Sequence, residues 1–175
     1  MKKFRLLLLD ANAVIEISRH SLWDRVVAAC EVHLAQTVID EAQFFQDENG
    51  ERQEIDLAAS VNAGTIGVFN LIPADLTSFR ATFAPAYLEK LDPGETESLA
   101  YLLSQPEECR LCSADKIVFR ILGSLNRAEQ GISLEEVLHA IGLSRKLSRQ
   151  FTRQYRKEWT NNGFQEGLRG GGDGR

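Results

Sequence analysis

The sequence predicts an α/β fold with a central parallel sheet, and two observations lead to this prediction. An uninterrupted apolar run from Leu6 to Leu9, bounded by charged residues, is typical of a strand that is covered on both faces. The segments that separate such runs carry apolar residues at helical spacing, as crossovers between parallel strands require. A chain of 175 residues can bury one substantial core, so we expect a single domain with an added C-terminal element.

The first half of the chain alternates between these two patterns. Apolar residues follow a helical path over 13–17 and again over 22–29, and the run 31–35 then predicts the second strand. Helical spacing returns over 37–45. The stretch 46–54 is polar and contains an Asn-Gly pair, so we expect an exposed loop there.

The second half is predicted to hold a short strand, several helices and one further buried strand. The helix that starts within 91–103 places Glu95 at the buried edge of its apolar face, whereas Glu97 should be more exposed. In chain order, the predicted elements are a strand at 66–69, helices at 75–83, 87–91 and 91–103, a strand at 109–113 and a helix at 116–125.

Four acidic residues recur where a predicted strand ends or a helix begins. Asp10 and Asp115 follow predicted strands, while Glu41 and Glu95 lie in the first turns of predicted helices. Each position also suits a helix N-terminus, where acids are favoured without any further function. Ligands of open α/β sheets bind at the carboxyl ends of the strands, however, so the recurrence favours a site.

These four carboxylates converge on one edge of the sheet if the strands at 5–9, 32–35 and 109–113 are neighbours. Crowded carboxylates repel one another, so they stay ionised together only around a cation. Oxygen ligands of this kind suit Mg²⁺ or Mn²⁺, which lower the pKa of a bound water and stabilise both oxygens of a phosphodiester displacement. We therefore expect nuclease chemistry that needs no His, Cys or Ser nucleophile.

Four segments, taken in order, resemble those of the PIN-domain family: LLLLDANAVIEI, TVIDEAQFF, LDPGETESLAYLL and CRLCSADKIVFRIL. The resemblance covers residues 4–143. It implies a Rossmann-like three-layer α/β/α sandwich, a metal-dependent endoribonuclease activity on RNA and an acidic site for Mg²⁺ or Mn²⁺. Many family members are toxins of toxin-antitoxin pairs, which makes an antitoxin protein and a second copy of the chain further candidate partners.

The resemblance also assigns roles to residues. Glu97 competes with Glu95 for the position of the third acid, and Asn12 matches a small polar residue that can bond a metal ligand or a water. The expected catalytic residues and metal ligands, matched in order to the four family acids, are Asp10, Glu41, Glu95 and Asp115.

Composition is typical of a globular protein from a reducing compartment. The apolar run near the start is four leucines long, too short for a signal-peptide core or a membrane span. Three cysteines, an odd number, argue against a disulfide framework. Cys109 and Cys112 form a CxxC pair within a predicted strand, where buried thiols are expected instead of a metal or redox site. We therefore expect a cytoplasmic protein without membrane contact.

The C-terminal segment differs from the rest of the chain in charge. Residues 1–144 carry 12 Lys and Arg against 22 Asp and Glu, whereas residues 145–175 carry 8 against 3. A basic tail on an acidic body suggests contact with a polyanion such as RNA, or with the protein's own acidic surface. The predicted organisation is a PIN-like domain over 1–143, a basic helix over 144–165 and a disordered tail over 166–175.

Residues 132–149 also support a second class of function. A capped helix, a Gly-Leu-Ser turn and a basic second helix resemble a helix-turn-helix, whose second helix would enter a DNA major groove. The chain would then be a non-catalytic module that binds nucleic acid or a partner on the same fold. The other interpretation is a terminal helix packed on the body, with a solvated or RNA-facing basic stripe. That stripe comprises Arg145, Lys146, Arg149, Arg153, Arg156 and Lys157.

Overall fold

A five-stranded parallel sheet forms the centre of the molecule. The computed structural model describes residues 1–83 and 85–170. Helices flank the sheet, which confirms the predicted α/β/α sandwich with C-terminal helices. The described strands are β1 (Phe4–Leu9), β2 (Cys30–Ala35), β3 (Phe44–Gln46), β4 (Arg52–Glu54), β5 (Ile66–Phe69), β6 (Arg110–Cys112) and β7 (Gly131–Ile132). The five strands of the central sheet lie in the order β5-β2-β1-β6-β7.

The helices connect the strands and cover the sheet. Short 3-10 turns at Ala128–Gln130 and Arg149–Phe151 complete the regular structure of the described residues. Within the described chain, no helix has the length and apolar character needed to cross a membrane. In chain order, the helices are α1 (Ala11–Arg19), α2 (Trp23–Ala29), α3 (Gln36–Glu41), α4 (Leu57–Asn62), α5 (Pro73–Ala81), α6 (Pro85–Leu88), α7 (Pro93–Ser104), α8 (Lys116–Ser124), α9 (Leu134–Ala140) and α10 (Arg153–Gly170).

Strand β1 lies at the centre of the sheet, as its leucine run predicts. It pairs in parallel with β2 on one side and β6 on the other, with Leu8 opposite His33 and Leu111. Its last three residues, Leu7 to Leu9, have no exposed surface. The three strands that the site prediction requires to be neighbours are therefore adjacent, and their carboxyl ends meet at one edge of the sheet.

The predicted loop over 46–54 was partly wrong, because its two ends form an antiparallel hairpin. Phe44 pairs with Glu54 and Gln46 with Arg52, and the chain turns through Gly50 at a φ of 78°. These strands are three residues long and mostly exposed, so they leave no alternation of apolar and polar residues in the sequence. The Arg52 guanidinium lies 4.0 Å from the centre of the Phe44 ring, which helps to hold the hairpin together.

The helix-turn-helix prediction is wrong. Helix α9 ends before Gly142, which has a φ of 78°, and residues 143–148 contain no helix. Leu143 is buried and Leu147 packs against the core, so this stretch follows the surface of the domain in an irregular path. A basic second helix therefore does not follow the turn, and no recognition helix stands free of the body.

The boundaries of the basic C-terminal helix also differ from the prediction over 144–165. The helix, α10, begins only at Arg153 and continues to Gly170, so residues 166–170 of the predicted disordered tail are helical. Residues 171–175, the rest of that predicted tail, lie outside the described residues. The apolar anchor before the helix is Phe151, which is buried in the 3-10 turn.

Helix α10 packs against α8 at the level of the backbone. A Cβ on Gly163 would collide with the Arg120 carbonyl oxygen, and a Cβ on Gly123 would collide with the Thr160 carbonyl oxygen. Only glycine allows two helix backbones to approach so closely at these positions. The close fit fixes α10 on the body of the domain, instead of leaving it as a separate arm.

Candidate functional site

Asp10 lies at the carboxyl end of β1 and joins two strands to one helix. It is the N-cap of α1, where its Oδ1 accepts a hydrogen bond of 2.7 Å from the Ala13 backbone N–H. Its Oδ2 accepts hydrogen bonds from the Ser113 hydroxyl at 2.6 Å and from the Ala114 backbone N–H at 3.2 Å. The structural role expected for an Asp at this position and the predicted site position thus coincide.

Burial makes Asp10 reluctant to ionise. The residue is 2% exposed, and desolvation raises the pKa of its carboxyl from 3.8 to about 6, although its hydrogen bonds act in the opposite direction. The charge of Asp92 raises this pKa further. Asp10 is therefore ionised at neutral pH but is held in an environment that favours the protonated form.

Glu95 is the most strongly perturbed acid of the site. It is 3% exposed, and burial together with the charges of Asp115, Asp92 and Asp10 raises its pKa from 4.5 to about 9. Its Oε2 accepts a hydrogen bond from the Asp92 backbone N–H at 3.1 Å, while Asp92 Oδ1 accepts one from the Glu95 backbone N–H at 2.7 Å. Glu95 thus closes a capping box at the start of α7 and is close enough to the other acids for their charges to raise its pKa.

Asp92 belongs to this group of acids, although it was not among the predicted site residues. Its charge acts on Asp10, Glu41 and Glu95, the three acids whose pKa values are raised. The signal was present in the sequence as an Asp three residues before a Glu, the pattern of a capping box. We call Asp10, Glu41, Asp92, Glu95 and Asp115 the acidic cluster.

Asp115 approaches the cluster from the end of β6. It is the N-cap of α8 and accepts a hydrogen bond of 2.7 Å from the Ile117 backbone N–H. Its own N–H donates to the Ser113 hydroxyl oxygen at 3.0 Å, and the same hydroxyl donates to Asp10. Ser113 has no exposed surface and therefore links the two predicted acids through a single buried side chain.

Glu41 joins the cluster from a different position than expected. It is the last residue of α3 instead of lying in a first turn, and it is exposed. A Cβ built on Gly94 would lie 3.3 Å from Glu41 Oε2 and 3.5 Å from Asp92 Oδ1, so both carboxylates are close to the start of α7. Partial burial and the charges of Asp92 and Asp10 raise the pKa of Glu41.

Glu97 and Asn12 lie at the margin of the cluster. Glu97 is half-buried, accepts a hydrogen bond of 3.2 Å from the Thr37 hydroxyl and adds to the negative charge around Glu41. Glu95 lies deeper, which favours it over Glu97 as the third acid. Asn12 is exposed in the first turn of α1. Its proposed bond to a metal ligand or water stays a prediction.

The acidic cluster has no basic partner in the described part of the chain. None of its five members forms an ion pair with a Lys, Arg or His there. Across residues 1–83 and 85–170, no three His, Cys, Asp or Glu side chains are gathered closely enough to hold a metal ion as they stand. The donor chemistry nevertheless suits a hard divalent cation, because every donor of the cluster is a carboxylate oxygen.

Three of the six residues of the basic stripe in the C-terminal segment pair with the protein's own acids. Arg156 donates two hydrogen bonds to Glu136, at 2.7 and 2.8 Å, and Arg153 lies 3.5 Å from the same carboxylate. Arg149 pairs with Glu158 at 2.8 Å. Burial would raise the pKa of Glu136, but hydrogen bonds from Arg156 and from the helix cap outweigh it and hold that pKa below its usual value. Of the two expected uses of the basic tail, contact with the protein's own acidic surface is observed.

Comparisons of the chain with protein-family models, with curated proteins and with solved structures gave no match.

Proposed function

We propose that this chain is a metal-dependent endoribonuclease of the PIN-domain type, which hydrolyses RNA phosphodiester bonds with Mg²⁺ or Mn²⁺. The observation that carries the proposal is the acidic cluster at the carboxyl edge of β1 and β6, in which burial and the neighbouring negative charges raise the pKa of Asp10, Glu41 and Glu95. Desolvated carboxylates close to one another oppose folding unless something neutralises them. A divalent cation is the neutralising group that also supplies nuclease chemistry.

The chain's own residues fit this role in different ways. Asp10, Glu95 and Asp115 would hold the cation, with Glu41 and Asp92 beside them. A carboxylate has roughly four acceptor positions, and Asp10 uses three of them for Ala13, Ser113 and Ala114. These bonds fix the orientation of Asp10 and leave one position for a ligand. When bound, the cation would lower the pKa of a water and stabilise the attacking and leaving oxygens of the phosphodiester.

The protonation state of Glu95 is expected to change when a cation binds. With a pKa of about 9, its carboxyl holds a proton at neutral pH in the metal-free protein. Glu95 would have to give up that proton in order to hold a cation together with Asp10 and Asp115. Metal binding is therefore expected to release protons and to tighten as the pH rises.

The experiment is a cleavage assay on mixed single-stranded RNA with Mg²⁺ or Mn²⁺, compared with the same reaction in EDTA. Asp10→Asn and Glu95→Gln should each abolish cleavage, since each preserves the shape of the side chain but removes a carboxylate that could hold the cation. The matched control is Glu16→Gln, which also changes a buried carboxylate at 5% exposure, but one that pairs with Arg19 and His20 away from the cluster. It should leave cleavage intact.

Two results would contradict the proposal. One is cleavage that persists in EDTA, and the other is cleavage that Asp10→Asn leaves unchanged. A wild-type protein that binds RNA but never cleaves it would support the alternative, a non-catalytic binding module on the same fold.

The proposal includes the biological setting that the family resemblance implies. An RNase toxin would act in the cytoplasm on cellular RNA, paired with an antitoxin protein or assembled as a dimer. All three cysteines are free and buried, which fits a reducing compartment. Burial also raises the pKa of the Cys109 thiol to about 12, so this thiol suits packing better than metal binding.

A further inference from the structure

An acidic protein that cleaves RNA needs a surface that attracts its substrate, and half of the predicted basic stripe is paired with the protein's own acids. Arg149, Arg153 and Arg156 face Glu136 or Glu158. Lys116 and Lys157 are among the cations that form no ion pair within the described residues, and both are exposed. Lys116 directly follows Asp115, which places a positive charge at the rim of the acidic cluster.

Two aromatic rings of α10 lie beside Lys116. Its Nζ is 5.2 Å from the centre of the Trp159 ring, and Tyr155 meets Trp159 edge-to-face with ring centres 6.1 Å apart. The Arg149 guanidinium lies 5.9 Å from the centre of the Tyr155 ring. Both rings are half-buried, so each is supported by the body and still partly accessible.

The direction of α10 places these rings next to the cluster. Three pairs of residues join α8 to α10, and in each pair the α10 residue lies 43 positions after its α8 partner in the sequence. The pairs are Lys116 with Trp159, Arg120 with Gly163, and Ser124 with Gly167. A constant separation means that the two helices run parallel, so the start of α10 lies beside the start of α8. The charge of Asp115 also acts on the Tyr155 hydroxyl, in keeping with this placement.

We propose that Tyr155, Trp159 and Lys116 form a stacking surface, which holds an unpaired nucleotide of the RNA substrate beside the acidic cluster. This inference rests on the proposed ribonuclease function and adds a binding subsite to it. Aromatic rings interleaved with cations bind single strands, because a base stacks on the ring while the cation contacts the phosphate. Paired bases of a duplex are stacked on each other and cannot use such rings.

The cations that now cover the rings do not block this use. Lys116 and Arg149 have exposed, flexible side chains, and the side chain of Arg149 is 74% exposed. When a base stacks on Trp159, Lys116 moves from the ring to the adjacent phosphate. The nearby carboxylates of Glu158 and Asp115 would repel that phosphate, so the cation is needed as well as the ring.

The test uses intrinsic fluorescence, because the chain has two tryptophans. Trp23→Phe leaves Trp159 as the sole reporter, and its quenching by a 2′-O-methyl oligouridine of about eight nucleotides would report stacking. The titration is done in EDTA, so that neither cleavage nor a bound cation contributes. We expect saturable quenching by the single strand and none by the same strand annealed to its complement.

Substitutions then test each component by fluorescence anisotropy of a labelled oligonucleotide. Trp159→Leu and Tyr155→Leu should each weaken binding roughly tenfold, as expected for the loss of one stacked base. Tyr155→Phe keeps the ring and should bind like the wild type. Lys116→Gln should lower the slope of log affinity against log salt by roughly 0.7, the value for one phosphate contact of a single strand. The matched control is Phe164→Leu, which changes a 40% exposed ring on the same helix.

The outcomes separate this inference from the proposed function. Two results would overturn the stacking surface and leave the proposed nuclease activity unaffected. One is metal-dependent cleavage without quenching of Trp159 fluorescence, and the other is an equal loss of RNA binding in Phe164→Leu and Trp159→Leu. Quenching with single-strand preference in a protein that never cleaves RNA would support the surface and overturn the nuclease. Circular dichroism of each variant identifies a folding defect, in which case the quenching experiment decides.

Discussion

The metal-free protein should become less stable as the pH rises from 4 to 9, opposite to the trend expected from ordinary paired carboxylates. Asp10 has a pKa of about 6 when folded against 3.8 as its ordinary value, so the folded state binds more protons than the unfolded state between these values. Stability falls with pH wherever the folded state binds more protons. Glu95, with a folded pKa of about 9, extends the fall to higher pH.

The expected loss of stability follows from the size of the pKa shift of Asp10. One pKa unit corresponds to about 1.4 kcal/mol, so the Asp10 shift predicts a loss of roughly 3 kcal/mol, complete near pH 7. Glu136 has a lowered pKa and acts in the other direction, but its contribution is fully present above its unfolded pKa and is lost only as the pH falls. Between pH 5 and 9, the change of stability with pH is therefore expected to come from the acidic cluster.

The assay is urea unfolding at fixed temperature in EDTA, repeated from pH 5 to 9. Asp10→Asn should reduce the slope of the curve between pH 5 and 7, and Glu95→Gln should reduce it over the whole range, including above pH 7, where Asp10 no longer contributes. Adding Mn²⁺ should reverse the trend, since the cation stabilises the ionised carboxylates. A wild-type stability that is constant or rises over this range would refute the reasoning, because the carboxylates would then not be destabilised by burial and mutual repulsion.

Three shorter predictions concern the metal and the C-terminal helix. Mg²⁺ or Mn²⁺ at one hundred times its Kd should stabilise the fold by about 2.7 kcal/mol. In thermal melts, the metal should raise the melting temperature of Asp10→Asn less than that of the wild type. An equal increase would exclude Asp10 as a ligand. Arg156→Gln should cost roughly 1–3 kcal/mol in urea unfolding because it leaves the half-buried Glu136 without its two-bond partner, and an unchanged midpoint would contradict that role. Gly163→Ala should destabilise the fold by several kcal/mol, of the order seen for overpacking, with Gly167→Ala, whose nearest contact would be a looser 2.9 Å, as the milder comparison; equal melting temperatures for wild type and Gly163→Ala would show that the helices can separate freely.

The parts of the fold that the sequence predicted are those with strong local patterns. β1 was found because Leu6 to Leu9 form a run covered on both faces, and Asp10 was found because it ends that run. The hairpin over 44–54 was missed because its strands are exposed and too short for a periodic pattern.

The errors in the second half of the chain have a different origin. The capping-box pattern in the sequence marks Asp92 as the start of α7, but it does not show that α7 docks with this end at the acidic cluster. The helix-turn-helix pattern was misleading because Leu143 and Leu147 pack on the core, and the chain between them is irregular instead of helical. The basic stripe was predicted from charge alone, and charge does not reveal that Glu136 is its partner.

Three of the clustered acids are N-caps, and this has a consequence for the electrostatics of the whole edge. Asp10, Asp92 and Asp115 cap α1, α7 and α8, so three helix N-termini point their backbone N–H groups at one place. Each N-terminus carries the equivalent of roughly half a positive charge from its macrodipole, which offsets only part of five carboxylates. Changes of charge at this edge should therefore reach three helices at once, and hydrogen exchange at the Ala13, Glu95 and Ile117 amides should slow together when a cation binds.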